Sequence, residues 1–173
     1  MLEKTLSTGC GMWALWDYEE YKNITSYEEW ENLFLSDNDI IKQISNSKFV
    51  PIYIHTDGIF QFRVKINEQL SEREQKYVIA TSEEYLIKTE GRLYLSGIEY
   101  IGNEVKEDEG IRLNLKSDSY SVKIHIIEWD KEPGMRLEDG SASIEALPDF
   151  TILINKENKA NKKYRQKLDT FDE

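Results

Sequence analysis

The chain holds one cysteine, Cys10, and two histidines, His55 and His125, against 33 aspartates and glutamates. That inventory narrows the available chemistry. A single thiol makes no internal disulfide and no thiolate zinc cluster. A cysteine nucleophile would need an imidazole beside it to lower its pKa, and no histidine is local to Cys10. The alternative is a small packing residue near the terminus. His125 shares a strand face with Lys123 and reads as a solvated histidine. His55 stands beside the Asp57-Gly58 turn, where its ring can hydrogen-bond backbone. Neither has a second imidazole or thiol at ligand spacing, so a transition metal would need carboxylates gathered across loops. Asp37-Asn38-Asp39 resembles the start of a calcium loop, but Ile41 stands where an oxygen donor belongs. No phosphate-cradling Gly-x-x-x-x-Gly-Lys-Ser/Thr and no Gly-x-Ser-x-Gly elbow occurs. Gly9-Cys10-Gly11 has no third glycine and no helix behind it, and reads as a flexible lead into the first strand. No cofactor and no metal are expected.

The carboxylates are the remaining chemistry. A glycosidase needs two of them at a fixed separation, one with a raised pKa. In a chain this acidic some pair meets that distance by chance, so number alone argues nothing. Their clustering says more. Asp17, Glu19, Glu20, Glu28, Glu29 and Glu31 gather around a first helix. Glu104, Glu107, Asp108 and Glu109 fill a loop with only Lys106 among them. Glu128, Asp130, Glu132, Glu138 and Asp139 lie on a second loop, answered by Lys131 and Arg136. Trp129 stands between two of these acids, either capping the core or facing a ligand. Long loops on a sheet scaffold are the usual home of binding function. One reading is a charged surface kept for solubility. The other is a surface that steers onto a basic partner, with carboxylates standing where phosphates would sit. On that reading Glu104, Glu107, Asp108, Glu109, Glu128, Trp129, Asp130, Glu132, Glu138 and Asp139 form the partner surface.

Charge excludes other partners. Lys and Arg number 22, giving a net charge of −11 and a pI near 4.8. Nucleic acid and anionic lipid both require a basic face. The apolar share, 39%, with 12% aromatic residues, is enough to build a core. No apolar run is long enough to cross a bilayer, and the first residues lack the charged and apolar regions of a secretory signal. The cytoplasm is the expected compartment. The abundance of Ile, Lys, Asn, Glu and Tyr suggests an AT-rich bacterial genome.

Local patterning then supplies the elements that must position the loops. Met12–Tyr18 reads as a strand. Ser26 and Glu29 form a capping box, with Tyr27, Trp30 and Phe34 on one apolar stripe behind it. A second short helix is expected from Asn38 to Asn46. From Lys48 the period changes to two. Phe60, Phe62, Val64 and Ile66 alternate with Gln61, Arg63 and Lys65 in a half-buried strand, after an Asp57-Gly58 hairpin turn. Residues 67–75 are polar and read as a loop or one helical turn. Further strands are expected at Phe49–His55, Lys76–Thr81, Tyr85–Lys88, Arg92–Leu95, Ile98–Ile101, Ile111–Leu115, Tyr120–Trp129 and Phe150–Ile154. The result is a mainly β protein: an antiparallel β-sandwich, or partly open barrel, of about eight or nine short strands. Its domain spans residues 1–155 with a helical insert at 26–46, and 156–173 reads as a mobile charged C-terminal tail.

The pattern Ile111–Leu115, Ser119–Trp129 and Leu147–Ile154 resembles the closing strands of small bacterial β-sandwich proteins of the competence protein J family, inhibitors of a DNA-entry nuclease. It is also similar to immunity proteins that neutralise toxins. The resemblance implies an acidic, non-catalytic sandwich that occludes a basic active site. The expected function is therefore an inhibitor or immunity protein for a basic partner such as a nuclease. The alternative is a small-ligand or saccharide-binding sandwich that uses surface Trp and Tyr; the sequence leaves open whether Trp13, Trp16 and Trp30 lie inside or outside.

Overall fold

The alternation in residues 60–66 turns Phe62 and Val64 into the core and Arg63 and Lys65 onto the opposite face. Ten strands built on such patterns form two sheets in a computed structural model that describes residues 1–159 and 161–172. In chain order they are β1 (Leu2–Thr8), β2 (Met12–Asp17), β3 (Phe49–Tyr53), β4 (Gly58–Ile66), β5 (Val78–Thr81), β6 (Tyr85–Thr89), β7 (Arg92–Gly97), β8 (Gly110–Asn114), β9 (Asp118–Ile127) and β10 (Phe150–Lys156). The helices are α1 (Tyr18–Tyr21), α2 (Tyr27–Phe34), α3 (Asp37–Ser45) and α4 (Glu72–Tyr77). One sheet runs β1-β4-β10-β9, with β5 and β6 following one another along the far edge of β9. The other runs β3-β2-β7-β8. All pairings are antiparallel except β4 with β10.

The sandwich is as expected; the open-barrel option gives way to two separate sheets. Trp13 projects between them, against Phe60 and Phe62, each with ring centroids 5.4 Å away. Phe62 and Phe150 stack at 4.9 Å beside it. Every residue of β2 is buried, because its second face is covered as well. Trp16, on that face, stacks on Tyr94 at 5.1 Å and donates its indole N–H to Ser96 Oγ. Tyr21, Phe34 and Phe49 continue the layer, so α1 to α3 roof the four-stranded sheet.

Five local expectations change. The Asp57-Gly58 segment is a crossover and not a hairpin turn, because β3 pairs with β2 in one sheet while β4 pairs with β1 and β10 in the other. A strand, β1, precedes Gly9-Cys10-Gly11; it is an edge strand in which only Leu6 and Thr8 are buried. Ile98–Tyr100 is a 3-10 turn and not a strand. Residues 72–77 are helical. His125 is buried rather than solvated, with Thr81 Oγ1 2.9 Å from its Nδ1.

The last two changes share a cause. Glu74 sits at the third position of α4 in a capping box with Ser71, and its carboxylate is fully buried on the outer face of the six-stranded sheet. It accepts from Lys65 Nζ at 2.7 Å, Arg63 Nη1 at 2.9 Å, the Ser71 N–H at 2.7 Å and Thr151 Oγ1 at 3.2 Å. The helix is thus pinned over Thr151 and His125 by polar contacts.

The segment read as a mobile tail is instead docked. Thr170 is fully buried: its hydroxyl donates to Pro51 O and accepts from the Tyr53 N–H, both at 2.8 Å. It thereby occupies hydrogen-bonding groups on the free edge of β3. The Arg165 side chain, 1% exposed, donates to Tyr85 Oη and Asp169 O and pairs with Glu83 and Asp172. His55, in left-handed backbone at φ 59°, meets Asp169 at 2.6 Å.

Burial alone would raise the Glu74 pKa, but Lys65, the Ser71 N–H and Arg63 outweigh it and hold it at about 2. The folded value lies below the ordinary 4.5, so the stabilisation is complete above that pH and lost as pH falls through 2. For His125, burial and then Lys123 lower the pKa to about 4 from 6.5. Its contribution is likewise complete above pH 6.5 and lost on acidification. Urea unfolding should therefore show stability declining below pH 6.5 and most steeply below pH 4.5. Glu74→Gln should cost about 3 kcal/mol at neutral pH, by leaving buried Lys65 without a carboxylate while Arg63 keeps Glu3, and flatten the slope below pH 4.5. Thr170→Val, which orphans two backbone groups of β3, should cost about 2 kcal/mol. Lys167→Ala, at an exposed position of the same segment, should change stability by less than about 0.5 kcal/mol.

Candidate functional site

Both acidic loops leave the same end of the sandwich. The registers bring the ends of β1, β3, β7 and β9 together with the starts of β2, β4, β8 and β10. The turns linking β1 to β2 and β3 to β4 lie there too. From that end the loops are held by different layers.

The second loop is the more ordered in design. Its start and finish are pinned where Ile127 N–H donates to Asp149 O and Glu128 N–H to Tyr77 O, at 2.9 and 2.8 Å. Trp129–Lys131 forms a 3-10 turn, and Trp129, half-buried, donates its indole N–H to Asp149 Oδ1 at 2.9 Å. The other Asp149 oxygen accepts from the Gln61 N–H. Beyond Pro133-Gly134 the chain doubles back as a small hairpin with an Arg136–Ala142 bridge. Leu137 N–H donates to Ser141 O and Ser143 N–H to Met135 O, at 2.9 and 2.7 Å. Gly140 closes the tip in left-handed backbone, at φ 86°. Asp139 accepts from the Ser141 N–H and hydroxyl at 2.9 and 2.6 Å, contacts that hold its carboxyl below the usual range.

Two arginines brace this hairpin. Arg73 of α4 makes a forked pair with Glu132, at 2.8 and 2.6 Å, and donates to Glu145 O at 2.8 Å. The Arg73 contact lowers the Glu132 pKa. Arg136 donates to Asp130 at 2.6 Å and lies over the Trp129 ring. Ala146 and Leu147 anchor the return strand in buried positions. Asp130, Glu132 and Trp129 therefore spend their polar groups on internal contacts, with Arg136, Arg73 and Asp149. Glu128 and Glu138 have no ion-pair partner among the described residues, and Glu138 and Asp139 stand exposed at the tip. Leu137, beside the tip, is 48% exposed, and Ile144, past the base of the hairpin, is fully so.

The first loop is held by its backbone. Asn103 N–H donates to Ile24 O at 3.1 Å, and Tyr18 Oη donates to Asn103 O. Lys4 of β1 donates to Glu107 O and Gly110 O at 2.5 and 3.1 Å. Glu104, Glu107 and Asp108 are exposed, while Glu109 accepts from the Lys106 N–H at 2.9 Å. Glu104 and Glu109 line a groove of about 490 Å³ that also includes Tyr27, Trp30, Glu99 and Tyr100. Tyr27, Glu99 and Tyr100 were not among the sequence-expected site residues, and Trp30 was named only for the alternative aromatic ligand surface. Tyr27 and Trp30 belong to a helical stripe whose period reads as core; only the fold shows that its first turn overhangs the loop. Among the acids around the first helix, Asp17 is buried and accepts from Thr89 Oγ1 at 2.8 Å.

Trp13 and Trp16 are fully buried and cannot form a ligand platform. Cys10 lines the groove, with its thiol pKa raised by burial and by Glu99 and Asp57. That is the direction opposite to an activated thiolate.

No protein-family model matches the chain, and no curated protein matches it. Two solved structures do. One is described as crocagin biosynthetic gene J; it shares 15% identity over 91% of this chain and 96% of its own, with a TM-score of 0.54. The other is ComJ from Bacillus subtilis, described as inhibitor of the DNA degrading activity of NucA. It shares 8% identity over 91% of this chain and 96% of its own, with a TM-score of 0.49. At these identities the likeness is one of fold.

Arg73→Ala should release Glu132 and the Glu145 carbonyl without disturbing the sheets. Hydrogen exchange at the Leu137 and Ser143 amides should quicken about fivefold while β4 and β10 keep their protection.

Proposed function

We propose that this protein is a non-catalytic binding protein that occludes a basic protein partner, and that the hairpin at residues 135–143 is the element it inserts. What carries this reading is the braced tip: two carboxylates, Glu138 and Asp139, held on hydrogen-bonded backbone beside exposed Leu137, with Ile144 exposed past the base of the hairpin. Arg73 and Arg136 neutralise acids at the base and leave the charge of the tip free. An element ordered before association loses little further entropy on binding. Neighbouring aliphatic side chains exclude water from around a central charged pair, where such pairs count most. Carboxylates spaced along a hairpin present negative charge to a cleft built for phosphates, so a nuclease is the partner class of choice. Residues Glu104, Glu107, Asp108, Glu109 and Glu128 add to the negative field at the same end of the molecule and speed encounter. The proposed setting is the bacterial cytoplasm; no helix among the described residues is long and apolar enough to cross a membrane.

Capture from a lysate of the native host at low salt, followed by kinetics on the recovered protein, tests this. The partner should be basic. Glu138→Gln/Asp139→Asn should slow association about tenfold, an effect that fades as salt rises past about 0.5 M. Recovery of the same proteins by the wild type and the tip variant, with equal rates, would refute the assignment.

A further inference from the structure

The groove beside the first acidic loop is lined by aromatic and aliphatic side chains as well as carboxylates, and its chemistry is distinct from that of the hairpin. Its floor is Ile24, Ile101 and the ring of Trp30. The Trp30 indole N–H donates to Ile98 O at 2.8 Å, which fixes the ring in place. Tyr27 lies almost parallel to it, with centroids 5.8 Å apart and planes 14° from parallel, and is 69% exposed. The capping box is what sets Tyr27 there. Glu29 accepts from the Thr25 and Ser26 N–H groups at 2.7 and 3.1 Å, and Ser26 Oγ accepts from Glu29 N–H at 3.2 Å. An aromatic pair is therefore held rigidly at the rim of a cleft of ligand-binding size.

Charge surrounds this pair on one side. Glu99, Glu104 and Glu109 line the groove against a single ammonium, Lys106. Glu99 is fixed by Thr8 Oγ1 at 2.8 Å and the Gly9 N–H at 2.9 Å. Glu31 lies next to Tyr27 and raises its hydroxyl pKa, so negative potential reaches the ring itself. Flat aromatic faces bounded by carboxylates suit a planar cation. A guanidinium can stack on a ring while its N–H groups reach carboxylate oxygens, which an ammonium does less well. The same chain shows the stacking internally, with the Arg92 guanidinium 4.5 Å from the centroid of Tyr18.

We infer that this groove docks an extended, arginine-bearing protein segment, its guanidinium stacked on Tyr27 and paired with Glu104 and Glu109. The surface adds a second contact to the binding function proposed above and does not depend on the hairpin. Anionic partners are disfavoured by the three carboxylates, and the open groove leaves its lining accessible to a segment of chain laid across it.

The test is a titration of the 15N-labelled full chain with the amidated pentapeptide Gly-Arg-Ala-Arg-Gly, following the Trp30 indole N–H. Parallel titrations use Gly-Lys-Ala-Lys-Gly, Gly-Glu-Ala-Glu-Gly and cellohexaose. The arginine peptide should shift the Trp30 indole and leave those of Trp13 and Trp16 unmoved. Glu104→Gln/Glu109→Gln should weaken it about fivefold, because Gln keeps the hydrogen-bond acceptor and loses the charge. Tyr27→Ala should weaken it about threefold. Glu138→Gln/Asp139→Asn should leave it unchanged, so that failure of the hairpin assignment and failure of this one are told apart. The inference is overturned if the arginine peptide leaves Trp30 unshifted, if the glutamate peptide, lysine peptide or cellohexaose binds as well, or if the rim variants bind like the wild type.

Discussion

One buried carboxylate organises the outer side of the molecule. Glu74 sits on the polar face of the six-stranded sheet and collects donors from two strands and from its own helix start. Removing a charge from water is costly unless its partners are complete, and here they are. The consequence extends past the helix. Arg73, the preceding residue, points to the acidic loop and grips Glu132 and the Glu145 carbonyl. The position of the hairpin is thus inherited from a salt cluster in which the hairpin takes no part.

This arrangement sorts the acids into two kinds. Some are components of the scaffold: Glu74 beneath α4, Asp17 between β2 and the turn after β6, and Asp130 and Glu132 under the arginines. Others have been left in solvent, notably Glu138 and Asp139 at the hairpin tip and Glu104, Glu107 and Asp108 on the first loop. A net charge of −11 does not make this distinction; the location of the cations does. Each arginine near the second loop is committed at its base, and this concentrates uncompensated charge at its apex.

Much of the scaffold was legible in the residues. The alternation of β4 and β9 and the Ser26 capping box follow local rules, and the structure keeps them; the Asp57-Gly58 signal misled, because the chain there crosses from one sheet to the other instead of turning back on itself. What escaped was held by something other than a hydrophobic period. The α4 sequence Glu-Arg-Glu-Gln-Lys-Tyr has no apolar stripe, since polar bonds pin it to the sheet. Strand β1 lies at an edge and buries only two side chains. The docked C-terminal segment depends on Arg165 and Thr170, whose partners lie about 80 and 120 residues away. Within the site, the acids were visible as clusters, but the groove was not. Tyr27 and Trp30 obey the same spacing whether a helix turn faces the core or overhangs a loop.

The contact of Thr170 with β3 has a meaning beyond stability. An outer strand with vacant amide and carbonyl groups is a template on which another chain can polymerise. In this molecule the hydroxyl of a single threonine occupies two of those groups, and Pro51 removes an amide from the same stretch. The docked C-terminal segment therefore caps this edge against pairing with a second copy of the chain.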